Sequence, residues 1–434
     1  CYFSMKMEGN PLLFKYLITQ CIFLSLCLHT QAIIFPYVYP RIKLEARHYK
    51  DKYNSNLYFW YFTPFSKKVD APVILWLQGG PGGSSLFGLF TEMGPLIATK
   101  DGFHLRKYHW ALDNHLIFID NPVGTGFSFT DSQNGYCSDE NCVAKGLYNA
   151  LQQFFTLFPH LKQNKFCITG ESYAGKYIPA LAMEIHHQNA NGHDDLINLK
   201  CIAMGNAYCD PGHQLNYGSY LYQHGLIDNN QLKVFEEMQS EIADEIKKNH
   251  WVQADILMDK LIDGELTNFS YFKSYTGFKD YYNFLMTSST EDMTVFWSLL
   301  QNDKLRRIIH VGGLPFNSGE EVQIHLALDM LKSVASYIEE LLSQYRIMFY
   351  NGQLDIIVAY PLTESFLRNL NFSSAKEYQR APRKIWRVDN EVAGYVKKAG
   401  NLTEVLVRNA GHMVPHDQPK WALDLITRFI HNKL

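Results

Sequence analysis

The chain has 434 residues, 47% hydrophobic and 14% aromatic, enough to bury a large core and long enough for two or three domains. Its formal net charge of −3 argues against nucleic acid as the main partner. It shows no internal repeat at a fixed period and no low-complexity tract.

Near the N-terminus, Lys15 provides a basic flank to the apolar run "YLITQCIFLSLCL" (Tyr16–Leu28). Thr30 and Ala32 in the following "HTQA" suit a signal-peptidase site. The run is short for a membrane span, which takes about 20 apolar residues. A cleaved signal over 1–32, with no stable membrane insertion afterwards, is therefore expected in preference to a signal anchor or a buried helix. Three N-x-S/T sequons, at Asn268, Asn371 and Asn401, fit secretory routing and are candidate glycan acceptors. Of the 8 cysteines, Cys21 and Cys27 fall in the presumed signal and none follows Cys209. Cys137 and Cys142 either close a small loop or remain free thiols. No Cys/His spacing suggests a metal site, and no metal or cofactor is expected.

Six short apolar runs then read as strands: "PVILWL" (Pro72–Leu77), "LIFID" (Leu116–Asp120), "FCIT" (Phe166–Thr169), "CIAMG" (Cys201–Gly205), "IMFY" (Ile347–Tyr350) and "EVLV" (Glu404–Val407). They lack polar alternation, so both faces are covered, as in a parallel sheet. Helical patterns lie between them, for example Val143–Phe158 and Tyr177–Gln188. Alternating strand and helix predicts an α/β domain with a mostly parallel central sheet and helices on both faces. From about Asp210 to Leu300 the rhythm changes. Leu232, Phe235, Met238, Ile242 and Ile246 recur at helical spacing, followed by Leu257 and Leu261. The expected layout is a core over 33–209 and 301–434, interrupted by a helical cap over 210–300 and closed by a helix, Trp421–Ile430.

In "FCITGESYAGKYIPAL" a strand runs into a tight, small-residue turn and then a helix. That is the setting of a nucleophile elbow, with Ser172 at its tip, Gly170 two residues before and Ala174 two residues after. A serine hydroxyl needs a histidine to accept its proton and a carboxylate to orient that histidine. "NGQLD" after the strand "IMFY" supplies Asp355, and "RNAGH" after "EVLV" supplies His412. Both loops leave the C-terminal ends of strands, where open α/β sheets build their sites, and the order Ser, Asp, His is that of the α/β-hydrolases. Singly, Ser172 reads as a helix cap, Asp355 as a turn residue and His412 as a loop histidine; the three placements together favour a triad.

"WLQGGPGGSS" (Trp76–Ser85) follows the first strong strand. Its glycines let backbone approach a ligand, and its spacing matches neither nucleotide-loop pattern. In an α/β-hydrolase such a loop supplies one oxyanion-hole N–H and the residue after the nucleophile the other, which assigns Gly80 and Tyr173.

The blocks "WLQGGPGGSSLFGLFTEMGP", "NPVGTGFSF", "GESYAGKYIP", "NGQLDIIV" and "GHMVPHDQP" resemble the signatures of the serine carboxypeptidases, most closely the vitellogenic-like branch. The resemblance runs from about Tyr53 to the C-terminus. It implies removal of C-terminal residues from peptides and proteins, in a secreted or lysosomal setting. It also gives Glu171 a purpose, since Gln78, Glu92 and Glu171 stand where the family binds the substrate's free carboxylate. A protonated carboxyl donates to that carboxylate, whereas an ionised one repels it, so the group is expected to work at acidic pH.

Two departures are visible. The charged "KLEARHYKDK" (Lys43–Lys52) replaces a family strand, and the cysteines that staple the family's helical insertion are missing. The resemblance leaves two other outcomes open, an acyltransferase or a poorly folded homologue that acts by binding. Residue preference and oligomeric state have no readable code.

Overall fold

The computed structural model describes residues 53–192, 196–289 and 295–434, and the backbone of Ile42–Lys43. The expected signal lies outside the described residues, as does 44–52. Ile42–Lys43 does form a short strand, paired antiparallel with Asn56–Leu57.

Six of the nine strands in the main sheet are the apolar runs. In chain order the strands are β1 (Phe59–Phe62), β2 (Val73–Leu77), β3 (His115–Ile119), β4 (Phe166–Glu171), β5 (Leu199–Gly205), β6 (Arg346–Gly352), β7 (Lys384–Val388), β8 (Glu391–Ala399) and β9 (Leu402–Val407). Their spatial order is β7-β8-β9-β6-β5-β4-β2-β3-β1. The run from β9 to β3 is parallel, while β1 and the β7–β8 hairpin are antiparallel at the edges.

The unbroken apolarity of β2 follows from this position. Leu75 and Leu77 pack with Leu147, Leu151, Ile178 and Leu181 on one face. Ile74 and Trp76 pack with Trp421, Leu425 and Phe429 on the other. Each such side chain contributes roughly 1.5–3 kcal/mol when fully buried, so a polar residue on either face would be costly. The first face is covered by helices Glu140–Leu157 and Ala174–Ala190, the second by Pro419–Ile430. Asp139 caps the first helix by accepting from the Cys142 N–H at 2.8 Å, and Pro159 follows its end. The second helix carries Pro179, which lacks the N–H that would bond the Gly175 carbonyl. The buried free thiol of Cys209 sits 3.1 Å from that carbonyl and donates in its place.

Between β5 and β6 the chain forms helices, among them Asn229–Lys247 and Trp251–Leu261. Asp228 and Gln231 make a reciprocal capping box at the start of the former. Phe235, Ile242, Leu257 and Leu261 are buried there with Phe272, Ile356 and Leu362, so this region closes an apolar cluster of its own without a cystine. Cys137 and Cys142 form a disulfide, and a second one, Cys167–Cys201, joins residues in register on β4 and β5. No described helix is long and apolar enough to cross a membrane.

Candidate active site

Strand order fixes the order of the chemistry. The C-terminal ends of β9, β6, β5, β4 and β2 lie side by side and lead into His412, Asp355, Asn206, Ser172 and Gln78 respectively.

Ser172 is the tip of the turn between β4 and the helix Ala174–Ala190, with φ of 62°, a left-handed conformation that is strained for a non-glycine residue. The turn is held by three backbone bonds: Ser172 N–H to Gly205 O at 3.0 Å, and Gly175 and Tyr208 N–H to Ser172 O at 2.9 and 3.0 Å. The glycine loop presses against it. A Cβ on Gly79 would lie 2.6 Å from the Tyr173 nitrogen and 2.7 Å from Ser172 Cβ, so only glycine permits the contact. Among the described residues, neither the Gly80 N–H nor the Tyr173 N–H donates to a protein acceptor.

Asp355 is fully buried, and its Oδ2 lies 2.8 Å from His412 Nδ1. Asn206 Nδ2 donates to the same oxygen at 2.6 Å, and the N–H groups of Ile357 and Val358 donate to the carboxylate at 3.1 and 3.2 Å. Two tyrosines of the helical region contact the pair. Tyr220 donates its hydroxyl to Asp355 O at 2.7 Å, the His412 N–H donates to Tyr282 O at 2.7 Å, and the two rings lie 5.4 Å apart. Asn206, Tyr220 and Tyr282 carry no sequence signal, because their partners come from other strands and from the long connection.

Beside the serine, Gln78 Nε2 donates to Glu171 Oε1 at 2.8 Å. The indole N–H of Trp76 donates to Gln78 Oε1 at 2.9 Å, which fixes the amide with its NH2 toward Glu171. Glu92 ends a single π turn, Gly88–Glu92, and is completely buried, while Glu171 is 1% exposed. Neither oxygen of Glu92 nor Oε2 of Glu171 makes a hydrogen bond of standard geometry. Burial pushes Glu92 up to about 7, against the opposing pull of Glu171, His412, Gln78 and Arg106. Burial, and then the charge of Glu92, pushes Glu171 well above the ordinary glutamate range. Arg106, which donates to the carbonyls of Phe90 and Gly94 at 2.8 and 3.0 Å, ties down the turn that carries Glu92. Two adjacent carboxyls of this kind hold a proton in mildly acidic solution.

A cleft of about 840 Å³ elsewhere on the surface contains none of these side chains. It lies along β7 and is lined by Arg380, Lys384, Arg387 and Lys398, where the cations shield a sheet edge from strand addition. Among the described residues no cluster suited to a metal ion occurs. Of the sequons, Asn268 and Asn371 are exposed, whereas Asn401 is half-buried with its amide donating to Leu342 O at 2.9 Å.

A buried carboxylate–imidazole pair beside a strained serine, on a parallel sheet of this order, places the protein among the α/β-hydrolases. Residues 41–432 match the serine carboxypeptidase family. The chain is 50% identical over 388 residues to a venom serine carboxypeptidase of Apis mellifera, covering 88% of this chain and 82% of that protein. It is 49% identical over 385 residues to a vitellogenic carboxypeptidase of Aedes aegypti, with coverage of 88% and 81%. The crystal structure of a prohormone-processing carboxypeptidase from Saccharomyces cerevisiae aligns with a TM-score of 0.77 at 26% identity, covering 91% of this chain and 90% of that one. The chain belongs to the serine carboxypeptidase family, and its activity is that of a serine-type carboxypeptidase.

Proposed function

We propose that this enzyme releases C-terminal residues through an acyl-enzyme on Ser172, with His412 as base, Asp355 as its orienting partner, and Gln78, Glu92 and Glu171 as the clamp for the substrate carboxylate. Ser172 Oγ bonds to the scissile carbonyl carbon as its proton passes to His412 Nε2, the nitrogen left free by the bond to Asp355. Charge gathers on the carbonyl oxygen, where the Gly80 and Tyr173 N–H groups donate. Collapse breaks the C–N bond, the proton on His412 goes to the leaving amine, and the C-terminal residue departs. Water then attacks the ester by the same route in reverse.

The observation that carries the exopeptidase reading is the Gln78–Glu171 hydrogen bond with Glu92 beside it, all three buried next to the serine. An acidic pair that holds a proton donates to a substrate carboxylate, so free-acid peptides are bound and activity favours acidic pH. The intact Asp355–His412 bond argues against a binding-only homologue. The helical region over 210–300 is read as a cap above the site, and the route as secretory, with glycans on the exposed Asn268 and Asn371 rather than on Asn401. Mass spectrometry of a peptide mixture incubated with the enzyme tests the activity. Stepwise loss of C-terminal residues is expected, and internal cleavage would overturn the exopeptidase reading. Endoglycosidase should lower the apparent mass of protein secreted by animal cells; an unglycosylated cytosolic product would overturn the route.

A further inference from the structure

A second buried ionic cluster lies behind the serine turn, and the acyl-enzyme mechanism makes no use of it. Lys176, in the first turn of the helix that follows Ser172, is fully buried. Its Nζ lies 3.1 Å from Asp329 Oδ2, donates to the carbonyls of Asp329 and Met330, and sits 5.3 Å from the centre of the Tyr173 ring. Glu140, at the start of helix Glu140–Leu157, is 5% exposed, and neither of its oxygens makes a hydrogen bond of standard geometry. Its carboxyl faces the Tyr173 hydroxyl and the Lys176 ammonium, with Asp139 on its own element, Asp329 with its ion-pair partner Lys332 opposite, and Tyr337 nearby. Tyr177 closes the group, its ring 5.1 Å from that of Tyr173.

The chain segment that holds Lys176 also touches the glycine loop. Asp329 and Gly319 lie on one connection, and the backbone of Gly319 packs so tightly on Gly82 that a Cβ on Gly82 would lie 2.6 Å from Gly319 O. A single connection is thus bonded to the helix that presents Tyr173 and packed on the loop that presents Gly80.

We propose that Lys176 and Glu140 are positioning residues for the oxyanion hole: they fix the Tyr173 side chain and, through Asp329, the segment packed on Gly82, so that the two N–H donors keep their spacing. The inference rests on Gly80 and Tyr173 being the oxyanion donors. Their N–H groups stabilise charge that develops only in the transition state, so disturbing their spacing acts on kcat rather than on KM. Burial pushes Glu140 up to about 8, with Lys176 opposing, so Glu140 stays neutral in the acidic range and adds no second negative charge beside Asp329.

Steady-state kinetics on a free-acid peptide at pH 5 test this, with thermal unfolding recorded alongside. Lys176→Met should lower kcat by about 10- to 100-fold with KM within about twofold, the size expected of a misplaced oxyanion donor. Glu140→Ala should lose kcat in the same way, and Glu140→Gln should restore most of it, because Gln keeps the shape and the neutral state. Should Lys176→Met alone fail to fold, Lys176→Met with Asp329→Asn removes the pair in neutral form and is held to the same criterion. A folded variant with wild-type kcat, or a loss confined to KM, overturns the proposal. Fluorophosphonate labelling separates the two levels: a labelled Ser172→Ala sinks the site itself, whereas unlabelled Ser172→Ala with normal turnover in Lys176→Met sinks only the positioning role.

Discussion

Gln78 and Glu171 are 93 residues apart in sequence, yet their side chains meet in a 2.8 Å hydrogen bond beside Ser172. The contact exists because β2 and β4 are neighbours in the sheet, and each delivers its polar residue at its C-terminal end. In the proposed mechanism this puts the substrate clamp on the same sheet edge as the nucleophile, which is where an enzyme that cuts one residue from a chain end needs it.

The nucleophile assignment is tested by Ser172→Ala. The variant should lose covalent labelling by serine-hydrolase probes and fall by ~10⁴ or more in kcat. Labelling at the wild-type rate would move the nucleophile to another serine.

Asp355, Asn206 and His412 should separate by degree. His412→Ala should cost about as much as Ser172→Ala, because in the proposed mechanism His412 moves the proton, and Asp355→Asn somewhat less. Asn206→Ala removes one of several donors to Asp355 and should lower kcat by about tenfold, with the fold retained. Near wild-type turnover in either His412→Ala or Asp355→Asn would contradict the roles of base and orienting partner.

Stability should fall as pH rises from mildly acidic to slightly alkaline. Glu92 and Glu140 titrate near 4.5 when exposed but are pushed to about 7 and about 8 by burial. Across that window the folded chain binds more protons than the unfolded chain, so the stability present below about 4.5 is lost with rising pH. For Glu140 the effect is on the order of a few kcal/mol. Glu140→Gln should therefore flatten the dependence and raise the melting temperature at pH 8 relative to wild type. Parallel pH curves for the two proteins would contradict this.

Legibility followed burial and locality. β2 and β4 could be read because both faces are covered, which leaves an unbroken apolar run. The β7–β8 hairpin could not, because Lys384, Ile385 and Arg387 are exposed at an edge while only Trp386 and Val388 are buried. Its turn did carry a signal: Asp389 and Asn390 both have positive φ, as a tight hairpin turn requires. Ser172, Asp355 and His412 sit in short local motifs, as do Gln78 and Glu92. Asn206, Tyr282 and Glu140 do not, since their roles arise from which strand or helix lies next door. The Cys167–Cys201 bridge was hidden for the same reason, because pairing across β4 and β5 is a property of the sheet.

One assay reaches the central claim, that Glu171 with Glu92 and Gln78 reads a substrate's free C-terminus. A single peptide, prepared as free acid and as C-terminal amide, is cleaved by wild type and by Glu171→Gln across pH 4.5 to 8. For wild type the acid should be strongly preferred near pH 5, and the preference should fade toward pH 8 through rising KM as the carboxyl pair loses its proton. Glu171→Gln keeps a donor but cannot ionise, so its pH dependence should be flatter and its acidic maximum moderately lower. The amide, with no carboxylate to clamp, should lose most of the acid preference with either enzyme. Identical pH profiles for all four combinations would contradict the clamp.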